Sequence, residues 1–388
     1  MSTGVAPLAI AYFVYFCAIG VFTPFWSPYL ELRGFDAIEI GLLLAIAAGV
    51  RAVGPFAFGW LSDATRRPTA ILRLAAALSV LAFAFLPFLS GLIGFAVLTA
   101  LFYSAWSFIA PSLDAHTLAR LGATSARYGR IRLWGSLGFI ALSWIGGAIF
   151  QRLGYTIVPA MMMAFMVATL LATLAVTPIP LVGHAPRAAS FRTAVTSRAV
   201  LFSLLVAALT SLSFGPYYTF FSLYLEHFGY SRSLIGFLWA LGVLAEIGVF
   251  AAGGSLLSKY SIRALFIAAA AGTALRWLLI AIFPDKVIVI ALAQLLHCLG
   301  FAVLHFAIVL TAQGQFSSDA AARGQALFSS IGYGVGGMLG SLLGGIVWSA
   351  WSPRATYLAA SVVVVLATFC AALGLRGTVL DRVKAQTE

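Results

Sequence analysis

The chain has 388 residues, of which 62% are hydrophobic and only 9% charged, with a mean hydropathy of +1.04. So few charges cannot wet the surface of a soluble globule, and so apolar a chain does not stay disordered; what remains is a polytopic membrane protein. The 31 Phe residues spread along the chain suit lipid-facing helices, not barrel strands that alternate polar with apolar.

About 20 apolar residues cross the hydrocarbon core as a helix, and twelve such runs are predicted. The first, 8–30, starts without a basic leader or cleavage site, so a first membrane helix is expected rather than a removed signal peptide. Pro24 and Pro28 should break or kink it. The second, 38–60, carries Arg51 and ends in a charged loop with Asp63, Arg66 and Arg67. The third and fourth, 69–89 and 91–118, turn tightly into each other, and the fourth carries Asp114 and His116. The fifth, 129–150, carries Arg132, and the sixth is 155–177. A polar connection, 178–198, falls near the middle of the chain. Then follow 199–225 with Pro216, 233–257 with Glu246, 263–283 with Arg276, 287–313 with Gln294, His297 and His305, 324–348, and 355–375.

The pattern repeats at an offset of 195 residues. Between 25–41 and 220–236, eight of 17 positions are identical, among them Ser27/Ser222, Tyr29/Tyr224, Glu31/Glu226 and Gly34/Gly229. Shared hydrophobicity does not align Ser, Tyr, Glu and Gly, so the chain is expected to hold two six-helix units: 1–180 and 199–388, joined by a cytoplasmic linker, 181–198. The fold class is therefore an all-α membrane protein of twelve helices in two pseudo-symmetric halves, the plan of a transporter. Gly332, Gly336, Gly340 and Gly344 form a small-residue stripe that lets backbones approach closely in lipid.

The net charge of +12 is a topology signal. With the N-terminus inside, 15 Lys and Arg fall in cytoplasmic segments and 5 outside, while Arg51, Arg132 and Arg276 lie within helices. Both termini are expected in the cytoplasm of a bacterial-type inner membrane, with basic segments meeting anionic lipid rather than nucleic acid. Cys17, Cys298 and Cys370 all lie in apolar runs without metal-ligand spacing, so neither a disulfide framework nor a metal or other cofactor is expected. There is no P-loop, hence no sign of ATP drive.

Two segments carry a resemblance. Gly59-Trp60-Leu61-Ser62-Asp63-Ala64-Thr65-Arg66-Arg67 is similar to the helix 2–3 signature of the major facilitator superfamily, without its basic residue directly after Asp63 and without its later glycine. Tyr128-Gly129-Arg130-Ile131-Arg132-Leu133-Trp134-Gly135-Ser136-Leu137-Gly138-Phe139 closely resembles the start of helix 5 in the 3-phenylpropionate permease branch of that superfamily, and more loosely lactose permease. The stretches around Arg51–Asp63, Pro111–Asp114, His297/His305 and Arg323–Ala326 resemble the same branch. The resemblance implies the major facilitator fold and makes Asp63, Arg66 and Arg67 the lock of the cytoplasmic gate.

Ionisable residues inside hydrocarbon cost about 2.5–3.5 kcal/mol each on insertion scales, so those present point to function. Asp114 and Arg132 lie 18 residues apart across one hairpin and can meet at similar depth. The resemblance to lactose permease assigns them to substrate binding; a structural ion pair is the other reading. Arg51 and Glu246, both substrate-binding candidates, are equivalent under the repeat, which suits a salt link or two halves of a gate; a cavity-facing Glu246 beside Arg132 is equally open, and separate pairing with neutral polar groups is the other reading. At about 100° per residue, Gln294 and His305 fall about 20° apart with His297 to one side, giving one polar stripe. His116, about 200° around its helix from Asp114, is expected to face elsewhere. His305, His297, Glu246 and Arg276 are the proton-coupling candidates, with His305 ranked slightly above Glu246 because histidine titrates near physiological pH.

The expected function is H⁺ symport of a small organic anion, such as a phenylpropionate-like aromatic acid, by a monomer working through alternating access. A sugar or nucleoside symporter of the same fold is an alternative, and an integral-membrane enzyme is an alternative of another class.

Overall fold

The computed structural model describes residues 5–122, 127–179, 194–257, 259–316 and 321–382. Most of the expected linker, residues 181–193, lies outside the described residues.

Among the described residues, twelve helices are long and apolar enough to cross a membrane. They are α1 (Ala6–Leu32), α2 (Ala37–Thr65), α3 (Pro68–Phe88, closing in a 3-10 turn), α4 (Gly91–Leu121), α5 (Tyr128–Leu153), α6 (Tyr155–Leu174, opening in a 3-10 turn), α7 (Arg198–His227), α8 (Arg232–Leu257), α9 (Ile262–Ile282), α10 (Val287–Gln315), α11 (Arg323–Ala350) and α12 (Pro353–Gly374). A short α13, Val379–Arg382, follows. All twelve expected spans are found with ends displaced by a few residues. The reason is physical: lipid offers the backbone no hydrogen-bond partner, so an apolar run long enough to cross must satisfy itself as a helix.

The helix ends follow local chemistry. Asp36 caps α2 in a reciprocal box with Glu39, Ser261 and Ser352 cap α9 and α12, and Pro residues open α1, α3 and α12. The repeat is visible in one such stop. Gly34 (φ 89°) and Gly229 (φ 81°) both take the left-handed conformation. The amide of Gly34 donates to Glu31 O and that of Phe35 to Leu30 O; Gly229 and Tyr230 donate to Glu226 O and Leu225 O in the same way. The shared Leu-Glu-x-x-Gly spacing is thus a helix terminator used twice.

Of the break or kink that Pro24, Pro28 and Pro216 suggest for α1 and α7, the break does not occur: both helices run on through these residues. Packing against neighbouring helices makes the freed backbone groups tolerable.

Three arginines that look in sequence only like topology signals close helix ends. Arg73 donates to the carbonyls of Thr173, Leu174 and Val176 at the end of α6. Arg198 donates to Leu373 O and Gly374 O, and Arg263 to Ala372 O, at the end of α12. Arg263 also pairs with Asp381 at 2.9 Å. The Gly377 amide first, then Arg263, holds the Asp381 carboxyl below the usual carboxylate range.

The chain forms two compact units. One holds the described residues up to 179 together with Phe221–Ala240; the other holds 194–220 and the described residues from Leu241 onward. In the first, α1 packs chiefly on α5 and α6, and α4 on α2 and α3. The α1/α5 seam is close because Gly20 faces the Phe139 backbone and Gly138 faces the Phe13 carbonyl, where a Cβ would collide. In the second, α9 packs on α12. The predicted glycine stripe lies along α7: Gly332 meets Ala207, Gly336 meets Ala208 and Ser211, Gly340 meets Leu212 and Gly215, and Gly344 meets Pro216.

Candidate functional site

Among the described residues, each unit brings sequence-predicted site residues into a polar cluster within its helices. The first is built by the α1/α5 seam. Close approach brings Arg132, on the second turn of α5, over the Phe16 ring of α1 at 4.2 Å from the centroid and over Tyr12 at 5.6 Å. Gly135 leaves the room: a Cβ there would lie 2.6 Å from Arg132 Nη1 and 2.8 Å from the Phe16 ring. Arg132 is half-buried, and among the described residues no hydrogen bond or ion pair reaches its guanidinium.

Asp114 is engaged elsewhere. Its Oδ1 accepts from the Tyr12 hydroxyl at 2.5 Å and from the Tyr128 hydroxyl at 2.8 Å. The direct Asp114–Arg132 contact that the hairpin spacing suggests does not form within 4 Å. Two phenols reach the carboxylate first, and the Tyr12 ring stands beside Arg132. Tyr15, stacked on Trp106 at 4.6 Å, lies within electrostatic reach of Arg51, Arg132 and Asp114 together. Arg51 also acts on Tyr103, and its own residue is exposed. The first cluster therefore holds two cations, one carboxylate and a wall of aromatic rings.

His116 is no part of it. Its Nδ1 lies 2.7 Å from Ser112 O, which can only accept, so the ring carries its proton there and Nε2 accepts from Thr69 at 2.9 Å. It is a hydrogen-bonded packing residue, 1% exposed.

The second cluster joins α7, α8, α9 and α10. Arg276 is fully buried, with the Tyr217 ring at 4.1 Å and the Trp277 ring at 4.4 Å. It donates Nη1 to His297 Nδ1 at 2.8 Å and Nη2 to Gln294 Oε1 at 2.7 Å, and Gln294 Oε1 also accepts from the Tyr217 hydroxyl at 3.1 Å. His297 Nε2 lies 2.7 Å from Glu246 Oε1. Guanidinium only donates, so His297 Nδ1 must accept and Nε2 must carry the hydrogen that Glu246 receives. The imidazole is thereby fixed as one neutral tautomer between a cation and a carboxylate. Two buried donors, Arg276 Nε and Gln294 Nε2, remain without a partner.

His305 does not join this network. α10 is not uniformly α-helical: Val287–Leu295 is followed by a π turn at Leu299–Val303 and then by Leu304–Gln315. A π turn advances fewer degrees per residue than the α-helix assumed from sequence, so His305 is rotated off the line through Gln294. It is half-buried, and no hydrogen bond or ion pair reaches it among the described residues.

At the α2–α3 loop, Asp63, Arg66 and Arg67 are all exposed. Arg66 caps α2 in the left-handed region (φ 55°), and its amide donates to the Asp63 carbonyl at 3.3 Å. Arg66 stands where the superfamily signature has its later glycine, and the backbone there takes the conformation glycine favours. No ion pair involves the Asp63 carboxylate among the described residues.

The sequence offers Tyr217, with other aromatics of helices 1, 4 and 7, as a candidate pocket wall, but does not single out Tyr12, Phe16 or Tyr128. Only Tyr128 had a local signal, as the first residue of the helix 5 motif. The others are aromatic residues in a chain with 14% aromatics, so type alone does not separate them from packing residues.

Comparison with known proteins agrees with this architecture. The pattern of the MFS_1 like family matches residues 5–359. The chain is 30% identical over 345 residues to a probable 3-phenylpropionic acid transporter of Escherichia coli, covering 84% of this chain and 86% of that one. It is 30% identical over 369 residues to a maltose permease of Geobacillus stearothermophilus, covering 92% and 90%. Among solved structures, the nucleoside transporter NupG superposes with a TM-score of 0.85 at 17% identity, covering 97% of this chain and all of that one, which speaks for the fold. Twelve membrane-crossing helices among the described residues and a family match along nearly the whole length converge with the 30%-identical transporter relatives: this chain belongs to the MFS_1 like family of major facilitator transporters, a multi-pass membrane protein that carries small solutes and is not an enzyme.

Proposed function

We propose that the solute is a small organic anion, an aromatic monocarboxylate of the phenylpropionate kind, taken up with H⁺ by alternating access of the two repeats, 1–180 and 199–388. The observation that carries this reading is Arg132: a membrane-embedded guanidinium seated on aromatic rings, with no acceptor for its N–H donors among the described residues. A carboxylate matches that fork with two parallel hydrogen bonds, and the surrounding rings suit an aryl group. The name of the E. coli relative points the same way. Arg51 adds a second positive charge: like Arg132, it lies within electrostatic reach of Tyr15.

Proton coupling is assigned first to Glu246. A proton arriving at His297 would need Nδ1, which Arg276 blocks, whereas Glu246 can take one without breaking the contact between Arg276 and His297. His305, first in rank by sequence, becomes the second candidate. The protein is placed in the inner membrane as a monomer with both termini cytoplasmic, and Asp63, Arg66 and Arg67 at the cytoplasmic gate.

The maltose permease relative supports a second reading, a neutral sugar bound by carboxylates. A thermal-shift screen of purified protein separates the two. Aromatic acids should stabilise it more than their amides do, and sugars should not; stabilisation by sugars alone would replace the anion with a neutral solute. Gradient-driven uptake in proteoliposomes tests coupling: uptake of the acid should collapse with a protonophore in the absence of a sodium gradient.

A further inference from the structure

We infer that Tyr12 and Tyr128 are positioning residues that hold Asp114 off Arg132 and so keep the guanidinium open for the substrate anion. The inference rests on the reading of Arg132 as the anion-binding group. A carboxylate and a guanidinium on the two arms of a helical hairpin, both half-buried, attract and would pair if nothing intervened. Here they do not pair. Tyr12, fully buried on α1, donates its hydroxyl to Asp114 Oδ1 at 2.5 Å, and Tyr128 donates to the same oxygen at 2.8 Å. The Thr117 hydroxyl lies 3.4 Å from the Tyr12 oxygen but is 2.7 Å from Leu113 O, so its hydrogen is engaged within its own helix and Tyr12 is left to donate to Asp114.

The same Tyr12 ring offers its face to Arg132, which Phe16 seats from the other turn of α1. One residue thus satisfies the anion with its hydroxyl and the cation with its ring. Hydrogen bonds to an ionised carboxylate are among the stronger ones, so two phenols remove much of the gain Asp114 would find in moving to Arg132. Gly135 keeps side-chain bulk out of the remaining space beside Arg132 Nη1.

Tyr12→Phe separates the two roles, because the ring stays and the donor goes. With its shorter hydrogen bond lost, Asp114 turns to Arg132 and competes with the substrate. The probes are 3-phenylpropionate and its neutral amide, 3-phenylpropanamide, applied to purified protein that elutes as a single species. Affinity for the acid should fall about tenfold in Tyr12→Phe while the weaker affinity for the amide stays unchanged. Tyr128→Phe should act in the same direction. Adding Asp114→Asn to Tyr12→Phe should restore acid binding, since an amide cannot occupy the guanidinium as a carboxylate does. A packing defect at Tyr12 would weaken acid and amide alike and would not respond to Asp114→Asn; either result overturns the inference. Equal acid-over-amide preference in wild type and Tyr12→Phe overturns it as well, with the anion reading intact. If wild type itself binds acid and amide alike, the anion reading fails and this inference falls with it.

Discussion

Arg132 is a cation kept in a hydrocarbon zone by aromatic faces. Insertion scales put the cost of such a charge at about 2.5–3.5 kcal/mol, and a desolvated cation–π contact returns up to about 2 kcal/mol. The remainder is what a bound carboxylate would offset, which makes the residue sensitive to geometry as well as charge. Arg132→Ala should abolish uptake of an aromatic acid. Arg132→Lys should raise KM at least about tenfold despite the retained charge, because a compact ammonium cannot present a planar fork. Radiolabelled uptake, with membrane insertion checked by immunoblot, tells the two apart; full transport by the lysine variant would remove Arg132 from the site. Glu246 makes a different prediction. Glu246→Gln keeps the shape and an acceptor for His297 but cannot change charge, so counterflow should persist while accumulation against a gradient is lost. His305→Gln should retain both. Loss of accumulation in His305→Gln with normal accumulation in Glu246→Gln would transfer the proton to His305.

Helix elements carry their own tests. The α7/α11 seam depends on Gly340 and Gly215, whose backbones approach so closely that a side chain would land on Leu212 O. Gly340→Val forces the helices apart and should cost about 1–3 kcal/mol, seen as a lowered Tm in detergent; an unchanged Tm would mean the seam is looser than it is here. The α2 end makes the opposite prediction. Arg66 holds a left-handed conformation that glycine adopts without a Cβ penalty, so Arg66→Gly should stabilise the protein by about 0.5–1 kcal/mol. A fall in Tm would show instead that the Arg66 side chain contributes more than its backbone strain costs.

Over the whole molecule, the distribution of basic residues sets the expected orientation. The twelve crossings among the described residues put both termini on one side in the proposed topology, and the 15-to-5 excess of Lys and Arg is the reason for proposing that this side is the cytoplasm. A C-terminal green fluorescent protein fusion should fluoresce, and a C-terminal alkaline phosphatase fusion should be inactive; active phosphatase would invert the topology.

Span number, approximate span limits and the short roster of ionisable residues within the helices were legible in the amino-acid sequence alone. The cause is the solvent: in lipid every crossing segment closes its own hydrogen bonds, so run length and composition suffice without knowing any neighbour. The repeat that pairs Gly34 with Gly229 was legible too, whereas their shared role as left-handed helix stops came from the structure. Pairing was another matter. Asp114 bonds Tyr12, 102 residues away, rather than the arginine across its own hairpin. His297 joins Arg276 and Glu246, while His305, assigned to the same stripe, stands apart from them beyond a π turn. Such choices depend on how each helix is rotated about its axis and how closely glycines let the next one approach. Those are properties of several chain segments packed together, and only the tertiary structure decided them.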